Sequence, residues 1–403
     1  MENKNNKKNS LYFPVGFYWG TATSSHQIEG NNKNNDWWRA EQAGEIKQKS
    51  GKACDSYNRY EEDFDLAKEL GTKAHRFSIE WSRIEPEEGR FDEAEMEHYK
   101  KVVKALKERG LEPFVTLHHF TNPIWFADKG GWENARSPYY FARYAEYVAK
   151  NLPEVRFWIT LNEPMIFGFN AFMEGRWPPF KKSFRSMWHS VYNMTHAHKA
   201  AYTKLKAGNS ALEIGIAKNN SYFDAYKNKF ISRIVAAVFD GIWNVWFLEK
   251  IKHEQDFVGI NYYFHNRIQF KFSSPKKWMN QNENKEVSDM GWEVYPEGLY
   301  KVVKQASHFH KPVYIFENGV ADADDNQRSR FIKEHLKWLH KAIEEGVDVR
   351  GYFHWSLLDN FEWAEGFKMK FGLVEVDFET LERKPRPSFY VYKKTCNQNA
   401  LNG

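Results

Sequence analysis

Short apolar runs and helical segments alternate along the whole chain, and this alternation constrains the fold more than any other feature. Eight runs are rich in aliphatic, β-branched or aromatic residues and have the length of buried strands. Segments with helical periodicity lie between them, a pattern typical of a parallel sheet with crossover helices. The runs cover residues 17–21, 73–79, 112–118, 156–161, 212–217, 256–262, 312–316 and 349–355.

The segment between the second and third runs carries clear helical signals. Asp92 can cap a helix at its start, and Gly110 can end it. The apolar face of this helix takes Met96, Tyr99 and Leu106. The next apolar run begins almost at once, so strand, helix and strand follow one another without a linker.

Eight such units favour a closed barrel over an open doubly wound sheet. No glycine-rich fingerprint follows the first run, which argues against a dinucleotide site. The predicted fold class is therefore α/β, a single-domain (β/α)8 barrel of the TIM type. We expect the barrel to cover residues 11–396, after a disordered polar tail at 1–10 and before a C-terminal tail at 397–403.

Charge and composition exclude some classes of partner. The net charge is +5, but the basic residues form only short clusters, at Lys7–Lys8, Lys181–Lys182 and Lys276–Lys277. Nucleic-acid binding would need a denser basic stripe, so no nucleic-acid partner is expected. Aromatic residues make up 17% of the chain, which suits both a large core and the flat walls of a carbohydrate site.

The chain has no run that predicts a membrane span. The nearest candidate, residues 231–248, is interrupted by Arg233, Asp240 and Asn244 and is typical of an amphipathic helix. The first ten residues lack the apolar segment of a secretory signal, and two cysteines do not make a disulfide framework. We expect a cytoplasmic protein without a membrane partner; the sequence leaves its oligomeric state open.

Two carboxylates stand at the ends of strands on opposite sides of the predicted barrel. Glu163 follows the fourth run and Glu317 follows the seventh, and catalytic groups in such barrels come from these strand ends. Cleavage of a glycoside with retention needs two carboxyl groups about 5–5.5 Å apart. A single glutamate here would more often form a structural ion pair. Two of them, each beside an asparagine (Asn162 and Asn318), favour a catalytic pair.

Several ordered motifs resemble those of glycoside hydrolase family 1, the β-glucosidases and β-galactosidases. Residues 160–164 (TLNEP) and 316–319 (FENG) resemble its two active-site signatures. Residues 25–30 (SHQIEG), 76–83 (RFSIEWSR) and 355–363 (WSLLDNFEW) extend the resemblance over nearly the whole chain. The resemblance implies a retaining β-glycosidase that acts on a small β-glycoside or oligosaccharide without a cofactor.

The resemblance also implies roles for individual residues. Glu163 would be the acid/base and Glu317 the nucleophile. Arg76 and Tyr263 would hold Glu317 in its charged form. Asn162 would bind the sugar 2-hydroxyl. The remaining implied residues are Gln27, His119, Glu362 and Trp363 for the other hydroxyls, Trp355 for the floor beneath the ring, and Asn261 in support.

A metal site is not expected. His118 and His119 are adjacent, and His308 and His310 are two positions apart. Neither pair has carboxylate or cysteine residues at the spacing of metal ligands. Sugar binding accounts for His119 without a metal. The residues at His118, Phe120 and Thr121 differ from those common in the family. The sequence therefore leaves open whether glucose, galactose, fucose or mannose is the preferred sugar.

Other readings of the same residues remain. Transglycosylation uses the same intermediate as hydrolysis, and a non-catalytic sugar-binding barrel would normally lack one glutamate. Relatives that take 6-phosphosugars carry Ser and Lys where this chain has residues 360–363 (NFEW), so unphosphorylated glucosides are expected. The segment between the fifth and sixth runs is short. It predicts a lowered wall and a wide, permissive aglycone side; the alternative is a helix that closes the same space.

Overall fold

Residues 10–272, 278 and 286–402 are described by the computed structural model. The expected polar tail lies outside these residues except for Ser10, as do the basic clusters at Lys7–Lys8 and Lys276–Lys277. The other predicted elements all fall within the described part.

Eight parallel strands form a closed barrel, as predicted. Each strand pairs with the next, and the barrel closes where β8 pairs with β1, through registers such as Gly351 with Tyr18. The strands are β1 Tyr18–Ala22, β2 Ala74–Ser78, β3 Glu112–His118, β4 Phe157–Asn162, β5 Glu213–Asn219, β6 Val258–Asn261, β7 Val313–Asn318 and β8 Val349–Trp355.

One long helical segment follows each strand and packs outside the barrel. Asp92 caps the second helix, where its side chain accepts hydrogen bonds from the backbone N–H groups of Ala94 and Glu95. The helices are α1 Ser56–Glu69, α2 Glu93–Glu108, α3 Ser137–Asn151, α4 Phe184–Gly208, α5 Phe230–Ile251, α6 Pro296–Ala306, α7 Arg328–Glu344 and α8 Pro387–Gln398.

Smaller elements complete the loops and the ends. Three two-stranded sheets pair Ser10–Tyr12 with Ala400–Asn402, Tyr222–Ala225 with His265–Ile268, and Val374–Val376 with Arg383–Pro385. Short helices are Ser25–Ile28, Asp36–Ala43, Trp81–Ile84, Ile124–Asp128 and Pro164–Gly168. Single turns of other helix types are Phe169–Glu174, Gly131–Glu133, Tyr226–Asn228, Ser307–Phe309 and Trp363–Glu365, and α5 contains one at Gly241–Val245.

The two chain ends meet in the first of these small sheets. The strand Ser10–Tyr12 pairs antiparallel with Ala400–Asn402. The segment 397–402, expected as a tail, therefore contains the end of α8 and a paired strand. Its Leu401 is buried in the core.

The predicted strand limits agree with the structure to within two residues. Two strands are longer by two residues at their carboxyl ends: β5 continues to Asn219 and β7 to Asn318. Lys218 ended the predicted fifth run, because lysine is rarely fully buried. Its side chain is nevertheless buried in the structure, so the strand passes through it.

Large aromatic rings fill the barrel interior where neighbouring strands carry glycine. The rings of Phe114 and Phe157 stack with centroids 4.1 Å apart. A Cβ atom at Gly259 of β6 would collide with the ring of Phe316 on β7, and one at Gly215 of β5 would collide with Phe257. Large and small residues thus alternate around the wall, as small barrels require.

Helix α5 is the one described helix long and apolar enough to cross a membrane, judged by length and composition alone. One face of it packs on the small sheet of Tyr222–Ala225 and His265–Ile268 and on α4, and its Ser232, Ala236, Asn244 and Phe247 are buried. The helix connects β5 to β6 and contributes to the barrel surface, which agrees with the amphipathic helix predicted at 231–248.

Replacing Gly259 tests the aromatic–glycine packing of the barrel. Gly259→Ala should lower the free energy of unfolding by about 1–3 kcal/mol, because the methyl group overpacks against Phe316. Gly208→Ala is the matched control, since a Cβ there meets no atom within 4 Å. It should be neutral or stabilising by up to about 1 kcal/mol. Urea unfolding followed by tryptophan fluorescence measures both, and equal effects would contradict the packing account.

Candidate active site

The carboxyl ends of the barrel strands surround a cavity of about 1130 Å³. Every predicted sugar-contacting or catalytic side chain lines it, while Arg76 and Asn261 lie directly behind the lining. The strand ends contribute to the wall as a ring, with His119 after β3, Asn162 on β4, Asn219 on β5, Tyr263 after β6, Glu317 on β7 and Trp355 on β8.

Glu317 is held by a cation and a phenol. Its Oε1 forms a buried ion pair with Nη1 of Arg76, and its Oε2 accepts a hydrogen bond of 2.6 Å from the hydroxyl of Tyr263. Burial raises the pKa of Glu317 above its usual range, whereas Arg76 and Tyr263 act in the opposite direction. The contacts therefore compensate part of the cost of a buried carboxylate.

Among the described residues, the hydrogen-bond partners of the Glu163 side chain are neutral amides. Its Oε1 accepts hydrogen bonds from Nδ2 of Asn261 (2.9 Å) and Nδ2 of Asn219 (3.2 Å). Burial, and secondly the charge of Glu317, raise its pKa to about 8. Glu163 is therefore protonated at neutral pH in the free protein.

The two carboxyl groups have environments that separate their protonation. Arg76 contacts Glu317 directly but acts on Glu163 only from a distance. Glu317 consequently ionises first, and its negative charge keeps the proton on Glu163. One ionised and one protonated carboxyl group in one cavity is the arrangement that a nucleophile and a general acid need.

Arg76 also joins these groups to Asn162. Its Nη2 donates to Oδ1 of Asn162 at 2.7 Å, and its Nε donates to Oγ1 of Thr116 at 3.0 Å. Asn162 in turn hydrogen-bonds with Nε2 of His119 at 3.1 Å. This network fixes Asn162 beside Glu163, on the same wall of the cavity.

The other predicted sugar contacts line the same cavity. Nε2 of Gln27 donates to Oε2 of Glu362 at 3.3 Å and to Oδ1 of Asn360 at 2.9 Å. Burial, with the charges of Glu317 and Glu163, raises the pKa of Glu362 to about 8. The ring of His119 lies nearly parallel to Trp355, with centroids 5.9 Å apart. Hydrogen-bonding groups and flat aromatic faces thus surround one space.

The backbone around the cavity adopts conformations that are uncommon for residues other than glycine. Phe120, Glu163 and Trp363 all have positive φ, at 76°, 44° and 47°. Such backbone strain concentrates at functional sites, where surrounding structure holds it in place. Gly319 is needed because a Cβ there would collide with the carbonyl oxygen of Trp355.

Two site residues were not predicted. Asn219 contacts Glu163, and Lys218 is buried beside it with a pKa that burial lowers to about 7. Both follow Ala217, where the predicted fifth run stopped, so that run had no polar group at its carboxyl end. Extending that run by two residues would have placed Asn219 in the ring.

Helix α5 closes the side of the cavity where a lowered wall was one expectation. Phe239, Ile242 and Trp243 line the cavity from this helix, and Phe184 and Trp188 line it from α4. The alternative reading, in which the helix fills the space with different residues, agrees with the structure. This outer part of the cavity is strongly apolar.

The described residues contain no cluster of three or more histidine, cysteine or acidic side chains that could hold a metal ion. His119 lines the cavity, whereas the adjacent His118 points elsewhere and contacts Oδ1 of Asn122 at 3.1 Å. His308 and His310 are exposed at the end of α6.

Comparison with known proteins agrees with this geometry. The model of glycosyl hydrolase family 1 matches residues 9–252 and 247–401. The 1,4-beta-D-glucan glucohydrolase of Thermotoga neapolitana is 34% identical over 440 residues, which cover 96% of this chain and 99% of that protein.

Solved structures are equally similar. The beta-glycosidase from Pyrococcus horikoshii superposes with a TM-score of 0.93 and 41% identity, covering 98% of this chain and 97% of that one. A family 1 glycoside hydrolase of Thermotoga maritima, complexed with a cyclophellitol analogue transition state mimic, superposes with a TM-score of 0.93 and 34% identity. That alignment covers 98% of this chain and all of the other.

The protonation states of the two carboxyl groups can be measured directly. In a titration by NMR with 13C-labelled glutamate, the signal of Glu163 should titrate at a pKa of about 8. Glu317→Gln removes the neighbouring negative charge and should lower the pKa of Glu163 by at least about one unit. The variant Glu163→Gln assigns the signal. A pKa of Glu163 that is unchanged in Glu317→Gln would show that the two groups do not interact.

Proposed function

The chain belongs to glycosyl hydrolase family 1, and we propose that it removes the terminal non-reducing sugar from unphosphorylated β-D-glucosides. Membership of the family makes the protein a retaining β-glycosidase, as the motifs predicted. Glucose is the proposed sugar, since beta-glucosidases and a glucan glucohydrolase are among its similar relatives. β-Galactosides and β-fucosides are the next candidates.

The unequal environment of two carboxyl groups in one cavity carries this proposal. Glu317 has Arg76 and Tyr263 as partners, whereas Glu163 has only amide partners and a pKa of about 8. The proposed roles are nucleophile for Glu317 and acid/base for Glu163. The same pair with both groups ionised could attack a sugar but could not protonate its leaving group.

In the first proposed step, a carboxylate oxygen of Glu317 attacks the anomeric carbon. The bond from that carbon to the aglycone oxygen breaks, and this oxygen takes the proton of Glu163. The product is a covalent glycosyl-enzyme with the opposite anomeric configuration. Charge develops on the sugar ring during this step, and the Arg76-bound amide of Asn162 would hold the 2-hydroxyl.

In the second proposed step, Glu163 acts as a base. Its carboxylate takes a proton from water, whose oxygen attacks the anomeric carbon and releases Glu317. Two inversions give net retention. A sugar hydroxyl in place of water would give transglycosylation, which remains the alternative activity. A non-catalytic sugar-binding barrel is the weaker alternative, because both carboxyl groups face the cavity.

The proposed sugar pocket lies on the side of Glu362. Gln27, His119, Glu362 and Trp363 would bind the remaining hydroxyls, with Trp355 beneath the ring and Asn261 supporting Glu163. The pKa of Glu362 is about 8, so at lower pH this residue is protonated and can donate as well as accept a hydrogen bond.

The buried free thiols of Cys54 and Cys396 support the proposed cytoplasmic location.

Azide can distinguish the two roles by stereochemistry. Glu317→Gly should abolish hydrolysis of 4-nitrophenyl β-glucoside, and azide should restore turnover by direct attack, giving the α-glucosyl azide. Glu163→Ala should accumulate the glycosyl-enzyme on a substrate with a good leaving group, and azide should then give the β-glucosyl azide. NMR of the products reports the anomeric configuration.

The same experiment has an internal control. Glu362→Gln should bind sugar poorly but should gain no activity from azide, since both reacting carboxyl groups remain. β-Azide from Glu317→Gly, or α-azide from Glu163→Ala, would reverse or exclude the proposed assignment.

Rejection of 6-phosphoglucosides follows from the surroundings of Glu362. Burial and the neighbouring carboxyl groups raise the pKa of Glu362 to about 8, so this residue is largely neutral at pH 7. Rejection there would come from the lack of a cation among Gln27, Glu362 and Trp363, and repulsion would be added above pH 8. We expect kcat/KM for 4-nitrophenyl β-glucoside to exceed that of its 6-phosphate by about 100-fold or more.

The ratio of the two kcat/KM values should rise further between pH 7 and pH 9, because Glu362 then ionises. Loss of the proton of Glu163 affects both substrates and cancels in the ratio. Glu362→Gln should abolish the rise. A 6-phosphate that is the better substrate at any pH would contradict the proposed substrate class.

A further inference from the structure

The outer face of α5 exposes a continuous apolar stripe. Its members recur at helical spacing on the face that is turned away from the rest of the protein. The exposed fractions are 68% for Phe230, 54% for Ile231, 52% for Ile234, 55% for Val238 and 42% for Ile242. Single exposed apolar residues are ordinary, but a large grouped patch marks an interaction surface.

The exposed charges along this stripe are positive. Between Lys229 and Ile242 the exposed charged residues are Lys229 and Arg233, while Asp240 is partly buried and hydrogen-bonded to Asn244. Beside the neighbouring Phe184 on α4, which is 61% exposed, stand Lys182 and Arg185. The ion pairs in the described part of the chain include none of these four cations.

The stripe is continuous with the mouth of the active-site cavity. Ile242 belongs to both, since it is exposed on α5 and lines the cavity. Phe184 and Met173 are likewise exposed and line the cavity from the other side of its mouth. Further inward the wall consists of Phe239 and Trp243. An apolar path therefore runs from the protein surface toward Glu163, the proposed proton donor to the aglycone.

An exposed apolar helix with basic flanks fits an anionic lipid surface. Such helices lie in the plane of the membrane with the apolar side chains inserted and the cations near the headgroups. A transmembrane arrangement of α5 does not fit, because its other face packs on the small sheet of Tyr222–Ala225 and His265–Ile268 and on α4. The expectation of no membrane partner rested on the lack of a spanning segment in the sequence. A helix that lies in the membrane interface does not need a spanning segment.

We propose that the apolar stripe of α5 docks this enzyme on an anionic lipid bilayer and that its substrates there are β-glucosides with a long alkyl or acyl aglycone. The proposal rests on the proposed function for its chemistry and names the aglycone class. The glucose headgroup would enter the pocket, and the chain would lie along Trp243, Phe239 and Ile242 toward the bilayer. Docking would leave the cavity mouth facing the source of substrate.

Vesicle flotation with the full chain tests the docking. The probe is large vesicles of phosphatidylcholine with 30 mol% phosphatidylglycerol, compared with phosphatidylcholine alone. Wild type should float with the anionic vesicles, and Ile234→Asp with Val238→Asp should weaken this binding by at least about tenfold. Lys229→Glu with Arg233→Glu should weaken it as strongly at low salt and less at high salt.

Matched variants place the same changes elsewhere on the surface. Val15→Asp with Tyr390→Asp alters two exposed apolar residues, and Lys333→Glu with Lys337→Glu alters two exposed cations on α7. These variants should float like wild type. Wild type that does not bind anionic vesicles would overturn the proposal. A dimer of wild type that Ile234→Asp with Val238→Asp dissociates, without vesicle binding, would assign the stripe to self-association instead.

Kinetics separates this inference from the proposed function. All variants should hydrolyse soluble 4-nitrophenyl β-glucoside with a kcat/KM within about twofold of wild type, because the glucose pocket is untouched. With dodecyl β-glucoside embedded in the anionic vesicles, Ile234→Asp with Val238→Asp should lose at least about tenfold in rate. If wild type is active on the soluble substrate, but wild type and Ile234→Asp with Val238→Asp hydrolyse the embedded substrate at equal rates, the docking proposal would be overturned and the proposed function would stand. Absence of glucosidase activity in wild type would overturn the proposed function itself.

Discussion

The buried ion pair between Arg76 and Glu317 is the interaction on which the rest of the site depends. Arg76 originates on β2 and contacts side chains on three other strands, namely Thr116, Asn162 and Glu317. A buried charge without a partner is costly, so each member of the pair requires the other. Their mutual neutralisation lets a carboxylate exist inside the barrel, and its negative charge adds to the effect of burial in raising the pKa of Glu163.

The packing of the barrel determines where these strand ends lie. Aromatic side chains fill the interior against glycines on adjacent strands, which allows large rings in a closed eight-stranded wall. A glycine also permits close packing at the mouth, because Gly319 lets the backbone of Trp355 approach the end of β7. The packing of the core therefore determines the geometry of the site. The positive φ of Glu163 and Trp363 is maintained by the tightly packed residues around the mouth.

Much of this arrangement follows from local sequence signals. Apolar runs of strand length predicted the eight strands, and the order of strand ends brought Glu163 and Glu317 to one mouth. The exceptions have physical causes. Lys218 interrupted the fifth run because burial of lysine depends on tertiary contacts that a single sequence does not reveal, and Asn219 was missed with it. The protonation of Glu362 cannot be predicted from the sequence, because burial and the proximity of two other carboxyl groups, which raise its pKa, exist only in the folded chain. The exposure of one face of α5 likewise depends on which face the barrel covers.

The most direct test of the account is to trap the covalent intermediate and identify the residue that carries it. A 2-deoxy-2-fluoro-β-glucoside with a dinitrophenyl leaving group slows both steps, and its good leaving group lets the glycosyl-enzyme accumulate. Intact-mass measurement should show one fluoroglucosyl group per chain, and peptide mass spectrometry should place it on Glu317. Prior incubation with a competing glucoside should prevent the labelling. A label on Glu163, on Glu362 or on any other carboxyl group would contradict the role that Arg76 gives to Glu317.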